Sequence, residues 1–226
     1  MRLIRYVCLP IVLLLLSLPA YASLITFSSL GTFTAAAPGL PVETFESGLV
    51  APGGVTICTG PLSSGAASPC FPLSGLLPGV TYSSITDPLM VVLGPGVAGN
   101  TSKVLGPNSF VSTFNLTFTS ANAIGFDVFP GPNAGSIVIS LFNPADVALG
   151  SFTVPGVVGG SFFGVVSTSD LVGRVNIASQ APTPGELVDN LRFGTVSAVP
   201  EPSSLLLLAV GVSAIVCCRR KRILRG

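Results

Sequence analysis

Apolar and polar residues alternate with a period of two through much of the chain, most cleanly between Phe110 and Thr119. Phe110, Phe114, Leu116 and Phe118 fall on one side there, and Thr113, Asn115, Thr117 and Thr119 on the other. That period predicts a strand with one buried and one wet face. Ala123–Phe129 alternates likewise, with Ile124, Phe126 and Val128 together, and Ser136–Phe142, Ala148–Val154, Ser161–Ser167, Arg174–Ala178 and Leu187–Phe193 continue the series. Upstream, Ile25–Phe27, Val42–Glu46, Val55–Thr59, Thr81–Ser84 and Leu89–Leu93 read as further strands, with loops over Pro38–Pro41 and Pro61–Pro78. Gly or Pro interrupts nearly every apolar run, so the signals between the two ends are uniformly β. Short strands about ten residues apart, without an internal repeat, predict an all-β, antiparallel, jelly-roll-like sandwich over residues 23–199. A closed barrel is the alternative.

The two ends follow different patterns. Arg2 and Arg5, the apolar run Val7–Leu18 and the small-x-small triplet Ala20-Tyr21-Ala22 form the three parts of a secretory signal peptide. Residues 1–22 are therefore expected to be removed between Ala22 and Ser23. The other end reads Pro200-Glu201-Pro202, Ser203-Ser204, an apolar run from Leu205 to Cys218, then Arg219, Arg220, Lys221 and Arg222. Residues 203–218 as a helix would measure about 24 Å, against a bilayer core of about 30 Å. A helix that short inserts where the bilayer thins or flanking side chains reach the interface. By the positive-inside rule its basic end stays cytoplasmic, which places the preceding domain outside the inner membrane, as the signal peptide also requires.

This tail, residues 200–226, resembles the PEP-CTERM sorting signal of surface proteins of Gram-negative bacteria, which exosortase-type membrane proteases recognise. The resemblance implies that Pro200, Glu201 and Pro202 are the sorting motif and that Arg219, Arg220, Lys221 and Arg222 are the retention signal. It also implies an exosortase-type protease as partner and a single-pass inner-membrane precursor destined for the cell surface or exopolysaccharide matrix. Ala123-Ile124-Gly125-Phe126-Asp127, Ser161-Phe162-Phe163-Gly164-Val165 and Val188-Asp189-Asn190-Leu191-Arg192-Phe193-Gly194 are similar to strand motifs common in the ectodomains of such proteins.

Composition narrows the chemistry. Without its two ends the chain carries Lys103, Arg174 and Arg192 against eight acids, a net charge of −5. An acidic exported domain argues against nucleic acid as a partner. Cys8 leaves with the signal peptide and Cys217 and Cys218 belong to the tail, so Cys58 and Cys70 remain as an isolated pair, expected to form a disulfide. The chain has no His, which excludes Ser-His-Asp and Cys-His catalysis and His-ligated metal. No P-loop, nucleophile elbow or zincin motif is present, and Glu43 and Glu46, three apart, face opposite sides of a strand. The expectation is a non-enzyme: a structural or adhesive surface protein, or alternatively a carbohydrate-binding module with an exposed Phe or Tyr82 against the sugar. Sugar-binding jelly rolls resemble this layout and often hold a structural Ca²⁺. The resemblance implies Glu46 and Asp189 as its acids, with Asn190 as a neutral oxygen source.

Overall fold

The computed structural model describes residues 24–109, 111–131, 133–180 and 185–197. Residues 1–23, which hold the expected signal peptide and its cleavage site at Ala22 and Ser23, residues 198–226, which hold the tail, and Phe110 lie outside the described residues. The chain divides into two compact units, residues 1–196 and 197–226, and every described strand belongs to the first.

Two antiparallel sheets face each other. Their strands are β1 (Leu24–Phe27), β2 (Val42–Glu43), β3 (Val55–Thr59), β4 (Val80–Ser84), β5 (Leu89–Leu93), β6 (Val104–Pro107) and β7 (Phe114–Phe118). The second half adds β8 (Ala123–Phe129), β9 (Gly135–Phe142), β10 (Ala148–Gly156), β11 (Ser161–Ser167), β12 (Arg174–Ser179) and β13 (Leu187–Gly194). The larger sheet runs β1-β11-β8-β13-β6-β5-β3, with β2 also paired to β13, and the smaller runs β10-β9-β12-β7-β4. Among the described residues neither sheet closes on itself, so the fold is an open sandwich rather than a closed barrel.

The predicted alternation explains the core. Phe114, Leu116 and Phe118 of β7 are buried, as are Ile137, Ile139 and Leu141 of β9 and Val175 and Ile177 of β12. They meet Ile124, Phe126 and Val128 of β8 from the opposite sheet in one hydrophobic cluster. Tyr82 sits in that cluster without exposure, its ring 5.5 Å from Phe45 and 6.3 Å from Phe114. It is therefore a core residue and has no surface to offer a sugar, which corrects the sequence-based expectation. Burial pushes its phenol well above the ordinary range, with the Glu43 charge adding to the rise.

Three further differences from the sequence reading have local causes. The helix α1 (Leu30–Ala36) was not expected. Ser29 caps it by accepting from the Thr32 N–H at 3.4 Å, and its residue Phe33 is fully buried. Gly125 and Gly164 stand opposite each other on β8 and β11, and a Cβ on either would lie 2.7 Å from the Phe33 ring. The paired glycines form the seat for that ring. Strand β6, which contains Gly106 and Pro107, was not among the expected strands. Close packing demands the glycine there, since a Cβ would lie 2.7 Å from the Glu186 carbonyl oxygen. The expected strand Val42–Glu46 stops at Glu43, because Phe45 turns to φ 54° and gives its N–H to Glu43 Oε1 at 2.9 Å.

The Cys58–Cys70 disulfide is formed, with Cα atoms 5.8 Å apart. It ties the Pro-, Ser- and Gly-rich loop after β3 back onto that strand. Among the described residues no helix is long and apolar enough to cross a membrane, and the expected 203–218 span lies outside them.

Candidate functional site

The polar residues singled out in the sequence gather on the larger sheet. Asp189 and Asp127 are register partners on β13 and β8, and so are Arg192 and Gly125. Asn190 and Leu191 therefore share the single residue Phe126 between those pairs, and the extra residue makes a bulge. Asn190 takes φ 50° and donates from Nδ2 to Asp127 Oδ2 at 2.9 Å. Leu191, beside it, drops into the core. Asp189 is fully buried. Its Oδ2 accepts from Ser102 Oγ, and its Oδ1 accepts from the Asn190 N–H at 2.6 Å. Burial is the main cause that raises its pKa to about 6. The two hydrogen bonds oppose the rise, and the charges on Asp127 and Glu46 add to it. Glu46 accepts from the Lys103 N–H at 2.9 Å, while Lys103 Nζ donates to the carbonyls of Glu46 and Gly48 at 2.8 and 2.9 Å.

These groups are close enough to feel one another's charge, and each carboxylate accepts at least one hydrogen bond from the protein. Asn190 turns its nitrogen, not its oxygen, toward Asp127. Among the described residues no three acids or thiols are grouped to hold a metal ion. The arrangement locks the bulge and the neighbouring loop together. Glu43 is similarly structural: it is buried, and besides Phe45 it accepts from the Leu77 N–H at 2.6 Å.

A second feature lies where the two sheets open between edge strands β1 and β10. There a cleft of about 450 Å³ is lined by Phe27, Phe152, Phe162 and Phe163, together with the hydroxyls of Thr26, Ser28, Thr153 and Ser161. Among the described residues Phe27, Phe142, Phe152 and Phe162 are the half-buried aromatics, and all other Phe and Tyr side chains are buried. Arg174 covers Phe142, with its guanidinium 3.8 Å from the ring centre. The remaining three are among the residues that line the cleft, and no charged residue is. Phe33 holds two of them from behind, 5.8 Å from Phe27 and 5.7 Å from Phe162. The sequence reading did not find this cleft. Its residues come from β1, near the start of the domain, and from the consecutive strands β10 and β11, near its end, so no local pattern brings them together.

No curated protein sequence matches the chain. Among solved structures it is similar in layout to a family 29 carbohydrate-binding module, at 19% identity and a TM-score of 0.37 over 66% of this chain and 98% of that one. A form of that module complexed with cellulohexaose has 19% identity and a TM-score of 0.37 over 64% and 94%. A form complexed with mannohexaose has 18% identity and a TM-score of 0.37 over 64% and 93%. At these values the likeness transfers neither residues nor ligand, and the sandwich is established by its own strand pairing. Residues 198–221 match the PEP-CTERM protein-sorting motif. That span includes Pro200, Glu201, Pro202, Arg219, Arg220 and Lys221, with Arg222 one position beyond. The chain is thus an antiparallel β-sandwich followed by a PEP-CTERM sorting motif, the surface-sorting address its tail had suggested.

Proposed function

We propose that this chain is an exported, non-catalytic protein of the cell surface or extracellular matrix, delivered by its N-terminal signal and processed at its C-terminal tail. The match to the sorting motif over residues 198–221 carries this reading. Cleavage between Ala22 and Ser23 releases the sandwich outside the inner membrane. The 203–218 segment then holds the precursor in the bilayer, with Arg219, Arg220, Lys221 and Arg222 on the cytoplasmic side. An exosortase-type protease acts at Pro200-Glu201-Pro202. The test is expression in hosts with and without such a protease. Without it, the expected product is an inner-membrane precursor. With it, the product is a shorter species at the surface or in the medium, and Glu201→Ala restores the precursor. A product whose size and location ignore the protease would overturn the reading.

The cleft supports a second activity within it. Phe rings fringed by hydroxyls, without charge, suit a neutral sugar: the apolar ring face stacks on the aromatics and the hydroxyls exchange hydrogen bonds. The expected ligand is a neutral segment of exopolysaccharide. Retention on a glycan array should fall at least tenfold in Phe152→Ala and stay unchanged in Val147→Ala, a change in an exposed turn. Running both arms with Ca²⁺ and with chelator tests the calcium expectation at Glu46, Asp189 and Asn190. Equal retention and equal melting in the two arms would remove the ion from the account.

A further inference from the structure

The four sheet edges are not equally protected. On β10, Pro155 has no N–H to offer, and its carbonyl accepts from Ser161 Oγ at 2.5 Å. Strand β4 is capped by Leu62, which exchanges two main-chain hydrogen bonds with Tyr82 at 2.8 and 2.9 Å. Strand β1 is only four residues long, and the chain before it lies outside the described residues. Strand β3 has none of the usual defences: Val55-Thr56-Ile57-Cys58-Thr59 contains no charge and no proline.

The direction of its main chain can be worked out. The Gly60 N–H reaches the Pro88 carbonyl at 2.8 Å, and the Gly94 N–H reaches the Gly54 carbonyl at 2.9 Å. Residues of even number therefore point their main-chain groups at β5. Those of Val55, Ile57 and Thr59 point away, along the open edge. Side chains follow the same parity. Cys58 is buried, while Val55 and Ile57 are 53% and 48% exposed on the outer face. Next to them runs an apolar groove of about 290 Å³ lined by Val55, Val91, Leu93, Val97 and Leu187, among others. The strand is also held firmly. Cys58 is tied to Cys70, and Thr56 Oγ1 donates to the Leu49 carbonyl at 2.9 Å.

We propose that β3 is the docking edge for a second copy of this chain, as a two-fold antiparallel β3–β3 pair centred on Ile57. Three observations select a copy of itself as the occupant. With Ile57 on the dyad, Val55 faces Thr59 of the other copy. Each of these outward-pointing residues then finds a hydrogen-bonding partner of its own kind, as an isologous interface requires. Charge selects the same face. No charged residue occurs from Ser47 to Thr86, whereas residues 23–199 as a whole carry −5, so two copies meet without repulsion here. The first charge along the chain after β3, Asp87, follows Thr86 beside Pro88, the residue that the end of β3 bonds. The antiparallel dyad sends the two copies of Thr59 to opposite ends, about 14 Å apart along the strand. That exceeds the Debye length of about 8–10 Å. The pair extends the larger sheet across the dyad and brings two sets of Val55 and Ile57 out of water.

The test uses the signal-processed full chain in a non-ionic detergent, at tens of micromolar, in sedimentation equilibrium. The expected protein mass is that of two chains. Ile57→Lys should return it to one chain, and Val147→Lys, in the β9–β10 turn of the other sheet, should leave it at two. Ile57→Cys supplies an arm that does not need a tolerated lysine. Paired residues on a hydrogen-bonded dyad lie about 5.5 Å apart by Cα, within disulfide reach, so with Cys217 and Cys218 replaced by serine, oxidation should give a dimer band that reductant removes in Ile57→Cys and none in its Ile57 parent. One chain in the wild type, two chains in a folded Ile57→Lys variant, or no cross-linked band would each overturn the proposal.

Discussion

Glu186 shows how one buried carboxylate shapes the behaviour of the domain. It is 2% exposed, accepts from the Ser179 N–H at 2.5 Å through Oε1, and leaves Oε2 without a partner among the described residues. Burial raises its pKa to about 7, against the opposing pull of main-chain hydrogen bonds. In the unfolded chain it titrates near 4.5, so between these values the folded state keeps a proton that the unfolded state has released. Stability therefore falls as pH rises from about 4.5 to 7 and levels off above. Asp189 acts in the same direction over a lower window, from 3.8 to about 6. The urea midpoint should be higher at about pH 5 than at about pH 7.5, and Glu186→Gln should narrow that gap. A midpoint that climbs over the same interval would contradict the assignment.

At the scale of elements, α1 and the β3 loop depend on single anchors. The Phe33 ring lies against the paired glycines of β8 and β11, and Phe33→Ala should lower unfolding free energy by about 3–5 kcal/mol. Gly164→Ala puts a methyl where the ring sits and should cost about 1–3 kcal/mol. In both variants Phe27 and Phe162 lose their backing, so sugar retention should weaken alongside stability. Thermal melting and the glycan array read the two effects separately. The disulfide closes a loop of sequence separation 12, and replacing both cysteines by serine should cost about 3 kcal/mol by the chain-entropy estimate. Limited proteolysis should then cut between Gly60 and Pro69 faster than in the disulfide-bonded protein.

For the molecule as a whole, the proposed orientation rests on the tail cations. Substituting Arg219, Arg220, Lys221 and Arg222 by glutamine would remove the charge difference on which that orientation depends. A reporter fused after Gly226 should be cytoplasmic in the natural chain. In the variant, a measurable fraction should appear in the periplasm. A reporter that reads periplasmic in both would reverse the proposed topology.

Most strands were legible because a sandwich imposes period two on every strand with one wet face. Ser161–Ser167, Val55–Thr59 and Leu89–Leu93 fall where the alternation and flanking turn residues place them. Legibility failed where packing overrode a local signal: Gly106-Pro107 inside β6, Phe45 leaving the strand after Glu43, and a seven-residue helix whose stability comes from one buried ring. It failed again at Tyr82, since a lone aromatic on a strand reads the same whether it faces core or solvent.

By itself the sequence determined the strand periodicity, the cysteine pair and the sorting tail, because each depends on residues close together in the chain or on a pair with no competitor. Which acids neighbour one another, where half-buried rings form a cleft and which sheet edge stays open were decided only by tertiary structure. Those properties arise from the register and order of strands that lie far apart in the chain, and period two alone does not encode which strand lies beside which.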